Sequence, residues 1–156
     1  VALARELGFI GEALPVIPNA GGFSKADLSM PRLPPDERRT IALKGYHGWV
    51  GRAKVSLEAV RELAKELGDY KFVVYSANRS VIKLAKQVGQ DTGLDIIAHA
   101  KGSLSHQQVL ELFAKSKIYV GLSESDGIST SMLEAMAMGA IPVQTSTACC
   151  DEWFKD

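Results

Sequence analysis

Two acidic residues, Asp126 and Glu134, mark the stretch best equipped for chemistry, SESDGISTSMLEAMAMGAIPVQT at residues 123–145. They stand eight positions apart, where the apolar run KIYVGL gives way to a polar loop and then to a small-residue helix. One carboxylate belongs to the loop and the other to the first or second helical turn, so they can reach different parts of one ligand. Between them, the amides of Ile128, Ser129, Thr130 and Ser131 open the helix. Free N–H groups and the helix dipole at such an end favour an anion such as phosphate. The same letters also permit a plain structural account. Asp126-Gly127 is an ordinary turn pair, and Ser131 with Glu134 has capping-box spacing. Ala135, Ala137 and Gly139 read as positions of close helix–sheet packing rather than ligand contacts.

A second constellation is KGYHGWVGRA, residues 44–53. Gly45, Gly48 and Gly51 let backbone amides approach a ligand closely, and Lys44 and Arg52 add positive charge, which together suggest a phosphate cradle. The even spacing of the glycines is not a dinucleotide fingerprint, and the Lys-Ser or Lys-Thr pair of a P-loop is missing. Arg52 at a helix start opposes the dipole, a placement easier to understand with an anion beside it. Lys44 reads equally well as a solvated charge. Tyr46 and Trp49 read as packing residues. His47, His99 and His106 stand apart from any Cys, Asp or second His at metal-ligand spacing, so no metal site is expected. His47 could meet a ligand oxygen, and His106 looks like a first-turn residue of an exposed helix. The loop HAKGSLS at 99–105, which carries Lys101, offers backbone groups to a base edge or merely connects two elements.

These residues need a scaffold, and from about residue 40 the sequence supplies one. Short β-branched runs at 40–45, 71–76, 94–99, 117–122 and 140–145 alternate with helical stretches at 53–67, 79–89, 105–115 and 129–138. That alternation predicts an α/β fold, a Rossmann-like parallel sheet of five to six strands with helices on both faces and ligands beyond the strands' carboxyl ends. In the first helix Val55, Ala59, Leu63 and Leu67 form an apolar stripe, and the third is capped by Ser105 with Gln108 at capping-box spacing. Residues 1–38, broken by Pro15, Pro18, Pro31, Pro34 and Pro35, read as an approach segment packing on the domain at 39–156. A short helix at 1–7 and an extended piece at 12–17 are expected to lie on the sheet.

Composition narrows the partners. Lys plus Arg and Asp plus Glu both total 18, so the formal net charge is zero and no basic surface points to nucleic acid. Any anion must be held by local geometry. No apolar run reaches the roughly 20 residues of a membrane span, and no leader pattern opens the chain. The two cysteines, Cys149 and Cys150, are adjacent, which suits neither a disulfide framework nor a metal site and suggests a reducing, cytoplasmic setting. The start at Val1 and the end at DEWFKD read as those of a fragment.

With these residues in view, the stretch from Ile118 to Thr145 resembles the donor-binding signature of family 4, or group 1, retaining glycosyltransferases of the GT-B fold. That signature is two acidic residues separated by seven, then an AMA-like helix and a strand; here it reads D-GISTSML-E-AMAMGAIPV, with Asp126 where glutamate is usual. The order of elements from residue 40 and the segment EALPVIPNAGGF are similar as well. The resemblance implies that Glu134 binds the ribose of a nucleoside-diphosphate sugar and that Asp126 lies near the donor sugar. The amides of Ile128, Ser129 and Thr130 would meet sugar and phosphates. Arg52 and Lys44 stand in by position for the family's diphosphate-binding Arg and Lys. It further implies hexosyl transfer to a glycan or lipid-linked acceptor, with the nucleotide sugar a substrate and no cofactor. An absent N-terminal acceptor domain would carry any membrane association, and this part alone would be inactive. The competing expectations are a non-catalytic nucleotide- or phosphosugar-binding module and half of a GT-B nucleotide-sugar epimerase. A receiver-type regulatory domain would want an acidic cluster at its early strand ends, which this sequence lacks.

Overall fold

The β-branched runs form a parallel sheet between two helical layers, most buried in its interior strands and partly exposed in its two edge strands. In the computed structural model, which describes residues 2–15, 23–127 and 129–147, the strands are β1 (Thr40–Lys44), β2 (Lys71–Ala77), β3 (Ile96–Ala100), β4 (Ser116–Gly121) and β5 (Ile141–Gln144). All pair in parallel, in the order β3-β2-β1-β4-β5. Leu43 of β1 is in register with Val74 on one side and Val120 on the other.

Two short helices, α1 (Ala2–Glu6) and α2 (Lys25–Leu28), precede the sheet. The crossovers are α3 (Ala53–Glu62), α4 (Arg79–Thr92), α5 (His106–Lys115) and α6 (Thr130–Ala137). Successive residues of a strand point to opposite faces, so β1 feeds two cores. Ile41 and Leu43 join Leu57, Phe72, Val74, Val81 and Val88 on one face. Ala42 joins Tyr75, Phe113, Tyr119, Met132 and Met138 on the other. The expected five strands with helices on both faces are therefore present.

Several details differ from expectation. The first crossover helix ends at Glu62 rather than 67, and it buries Ala53, Ser56, Leu57 and Val60. Val55 and Leu63, from the expected stripe, are about half exposed. The second runs past Gly89 to Thr92, because the left-handed stop is Gly93 at φ 77°. Gly89 instead permits a close return of the chain, since a Cβ there would lie 3.3 Å from the Leu94 carbonyl oxygen. The third begins as expected, with Ser105 and Gln108 exchanging capping-box bonds.

The approach segment behaves differently along its length. α1 forms where a helix was expected but buries none of its residues, and residues 2–15 are exposed, so this part does not lie on the sheet. Of the extended piece at 12–17, residues 16 and 17 lie outside the described residues. Farther on, Met30 packs on the second core, and the buried Arg38 donates from Nε to the Leu33 carbonyl (2.8 Å) and from Nη1 to the Ser116 carbonyl (3.1 Å). Gly139 lies against that guanidinium at φ 84° and stops α6. Among the described residues no helix is long and apolar enough to cross a membrane.

Candidate functional site

The chain builds β1, β2 and β3 outward in one direction, then returns to lay β4 on the other side of β1. Where strand order reverses in this way, the loops after the two central strands diverge and leave a crevice at their carboxyl ends. Lys44 ends β1, and Asp126 lies in the loop between β4 and α6. Although 82 positions apart in sequence, they meet across that crevice, with Lys44 Nζ donating to Asp126 Oδ2 at 3.0 Å. Their side chains are 20% and 27% exposed, enclosed enough to hold the pair and open enough to admit a ligand. A pocket of about 320 Å³ adjoins them, lined by Lys44, Tyr46, Val50, Ser123, Ser125 and Asp126.

The loop after β1 is stapled to the loop after β4. The Arg52 amide donates to the Leu122 carbonyl (3.0 Å), and the Glu124 amide donates to the Val50 carbonyl (2.7 Å). Asn78 adds a third tie from the start of α4, donating from Nδ2 to the His47 carbonyl (3.0 Å). This stapling revises the glycine cradle. The Gly45 amide is committed to the Tyr75 carbonyl (2.7 Å) and that of Gly48 to the Gly51 carbonyl (3.3 Å), so neither is presented to a ligand. A Cβ on Gly45 would sit 2.6 Å from the Tyr75 oxygen, and one on Gly51 would collide with the Tyr46 carbonyl, whereas Gly48 has open space. Gly45 and Gly51 are small because the chain crosses itself there.

Arg52, just ahead of α3, does have an anion beside it, but one supplied by the chain. Its guanidinium bonds Glu124, with Nε at 2.8 Å from Oε1 and Nη2 on the same oxygen, both side chains half exposed. Trp49, read as a packing residue, is 86% exposed at the tip of the same loop, and Tyr46 is 41% exposed.

Glu134 occupies the second turn of α6 and is not part of a capping box with Ser131. The helix starts at Thr130 after Ser129, which makes no side-chain capping bond. Ser129 is buried, and its Oγ has no hydrogen-bond partner among the described residues. The Glu134 carboxylate instead meets His106, the first residue of α5, with Nε2 to Oε1 at 2.8 Å. This partner was missed because only the packing of α5 against α6 brings it near. Glu124 was missed for the same reason, since nothing local ties it to Arg52. Lys101 follows β3, with β2 between that strand and β1, and its amide bonds the Ala77 carbonyl (3.0 Å). The structure does not bring Lys101 to the Lys44–Asp126 pair. Ile128 lies outside the described residues, as do Cys149 and Cys150.

Two buried phenols belong to the second core. Tyr75 and Tyr119 each set an edge against Phe113, at centroid distances of 5.4 and 5.7 Å. Burial raises the pKa of both, strongly for Tyr75. Tyr75 lies within electrostatic reach of Glu134, and Tyr119 within reach of Lys44 and Asp126.

Two carboxylates and two cations gathered at the switch point of a doubly wound parallel sheet are the furniture of a ligand-binding α/β domain. Residues 39–156 match the sequence profile of the group 1 glycosyl transferases, and the chain belongs to that family. Among solved structures it is similar to a point mutant of S. aureus TarM in complex with fondaparinux, alpha-GlcNAc-glycerol and UDP. The TM-score is 0.68 at 17% identity, covering 99% of this chain and 30% of that one. It is also similar to the catalytic domain of cholesterol-alpha-glucosyltransferase from Helicobacter pylori (TM-score 0.61, 20% identity, 75% of this chain and 72% of that one). A third is the pneumococcal O-GlcNAc transferase GtfA in complex with UDP and GlcNAc (0.60, 16%, 83% and 24%). At these identities the likeness is one of fold, and it places the domain as a Rossmann-like half of the GT-B architecture. The chain spans 30% of the length of the first. No curated protein matches the sequence.

Proposed function

We propose that this domain binds the nucleoside-diphosphate sugar donor of a retaining hexosyltransferase, in the crevice beyond β1 and β4. The observation that supports the reading most is the Lys44–Asp126 contact, which joins a cation and a signature acid at the switch point. In this reading Glu134 accepts from the ribose hydroxyls, a positioning role, and Asp126 accepts from a hydroxyl of the donor sugar. Lys44 and Arg52 turn from their carboxylates to the diphosphate, and the amides of Ser129 and Thr130 meet its oxygens.

Breaking the sugar–phosphate bond leaves negative charge on the departing diphosphate. Fixed cations and a helix N-terminus aimed at that charge contribute several kcal/mol, on the scale of about 3–4 kcal/mol for one well-placed donor. Retention without a protein nucleophile would put acceptor and leaving group on the same face of the sugar, with the acceptor held by a second domain. The TarM and GtfA complexes both contain UDP, which makes uracil the first base to test.

Calorimetric titration with UDP, GDP, ADP and their sugar conjugates tests the proposal. One diphosphate should bind in the millimolar to micromolar range, about 4–8 kcal/mol, and both Glu134→Ala and Arg52→Ala should weaken it. Binding of none by a folded protein, or a tight complex indifferent to Glu134→Ala, would overturn the assignment.

A further inference from the structure

Resting on that reading, we infer that His106 is a positioning residue for Glu134 and so sets the discrimination between ribose and deoxyribose. The two side chains come from different helices, and their 2.8 Å contact joins the first residue of α5 to the second turn of α6. His106 is well placed to hold a fixed point. It is the first residue of α5, immediately after Ser105, whose capping box with Gln108 fixes the helix start (Ser105 N–H to Gln108 Oε1 at 2.8 Å, Gln108 N–H to Ser105 Oγ at 3.2 Å). Asp27 of α2, also within electrostatic reach of His106, is already bonded by the Ser24 hydroxyl (2.7 Å) and amide (3.0 Å). Glu134 thus receives the imidazole.

The contact has a geometric consequence. A glutamate side chain is free to turn about its terminal bond, and a carboxylate meant to accept from two neighbouring hydroxyls must stop turning. His106 takes Oε1 and thereby fixes the carboxylate plane, leaving the remaining lone pairs for a diol. The imidazole is itself 64% exposed and Glu134 only 19%. The histidine therefore reaches in from the rim to a largely enclosed acid, and its removal leaves the cores untouched. Pre-ordering one rotamer-rich side chain corresponds to roughly two- to tenfold in affinity.

The test measures dissociation constants of UDP and 2′-deoxy-UDP for the full-length protein, with the matching GDP and ADP pairs alongside. Wild type, Glu134→Ala, His106→Ala and His106→Gln are compared, the last because a glutamine amide can donate from near the Nε2 position. Wild type should prefer the ribonucleotide, and Glu134→Ala should bring the ratio close to one. His106→Ala should lower that ratio roughly two- to tenfold by weakening the ribonucleotide alone, and His106→Gln should recover much of it. A merely structural histidine would weaken ribo- and deoxyribonucleotide equally, and that result overturns the inference. So does an unchanged ratio in His106→Ala when Glu134→Ala abolishes it. If Glu134→Ala itself leaves the ratio intact, or no nucleotide binds, the donor-site reading fails first and this inference falls with it.

Discussion

Disconnecting Lys44 from Asp126 should reveal whether the crevice is held shut by its own charges. At 3.0 Å the gross attraction is about 5.5 kcal/mol in an effective dielectric of about 20. Most of this is offset by the cost of partly desolvating both groups. With side chains 20% and 27% exposed, the pair lies between surface bridges and fully buried ones, so its net coupling should be about 1–2 kcal/mol. Lys44→Met, Asp126→Asn and the double variant, unfolded in urea, close a double-mutant cycle. Each single variant should lose about 1–2 kcal/mol, shifting the midpoint by roughly 0.5–1 M, and the double should lose much less than the sum. The same proteins separate two roles in binding. A nucleoside diphosphate without its sugar should bind Asp126→Asn about fivefold more tightly, because Lys44 no longer has a competing anion, and Lys44→Met more weakly. Additivity within about 0.3 kcal/mol would refute the coupling. Weakening of the diphosphate by Asp126→Asn to the same degree as by Lys44→Met would refute the competition.

Two of the three glycines expected to cradle a ligand, Gly45 and Gly48, should behave oppositely. Gly45→Ala drives a methyl to 2.6 Å from the Tyr75 carbonyl oxygen and should cost about 1–3 kcal/mol in urea unfolding, whereas Gly48→Ala, with open space around it, should stay within about 0.5 kcal/mol of wild type. The phenols predict an alkaline limit. Burial raises Tyr75 and Tyr119 above the ordinary value of 10.0, so the folded state keeps its protons longer than the unfolded chain does. Their contribution to stability is complete below pH 10 and is lost as pH climbs through the raised values. Tyr75→Phe with Tyr119→Phe should therefore flatten the fall in thermal midpoint above pH 10, and an unchanged slope would argue against buried phenols as its source.

The sheet was legible because all five strands are β-branched runs bounded by turn residues, and parallel strands advertise burial on both faces. The face of the first crossover helix was not. Val55, Ala59 and Leu63 keep as good a helical period as the buried set of Ala53, Ser56, Leu57 and Val60. A buried serine and a small alanine make the true stripe look less apolar than the false one. Asp126, Glu134 and Lys44 could be located by where their strands end and helices begin. Their partners could not, since His106–Glu134 and Arg52–Glu124 span 28 and 72 positions and depend on which helix and loop become neighbours. Gly45 was visible as a special residue for the wrong reason: a glycine admits close approach, but the sequence does not say whether a ligand or the next strand approaches.

The electrostatic design of the crevice follows from one loop. Glu124 and Asp126, two positions apart after β4, neutralise Arg52 and Lys44 respectively. The loop thus offers two negative groups to two cations, much as a diphosphate would. On the proposed reading, binding is an exchange of anions rather than a capture by bare positive charge. Its free energy is a difference, which fits modest affinity for the ground-state donor. Were a sugar–phosphate bond broken there, charge would accumulate on the leaving group and not on the loop carboxylates, and the balance would tip toward the diphosphate during the reaction itself. Interactions that strengthen only then raise the rate without deepening the ground-state complex. On this reading a chain with zero formal net charge would hold an anion by exchanging the carboxylates already paired with its cations.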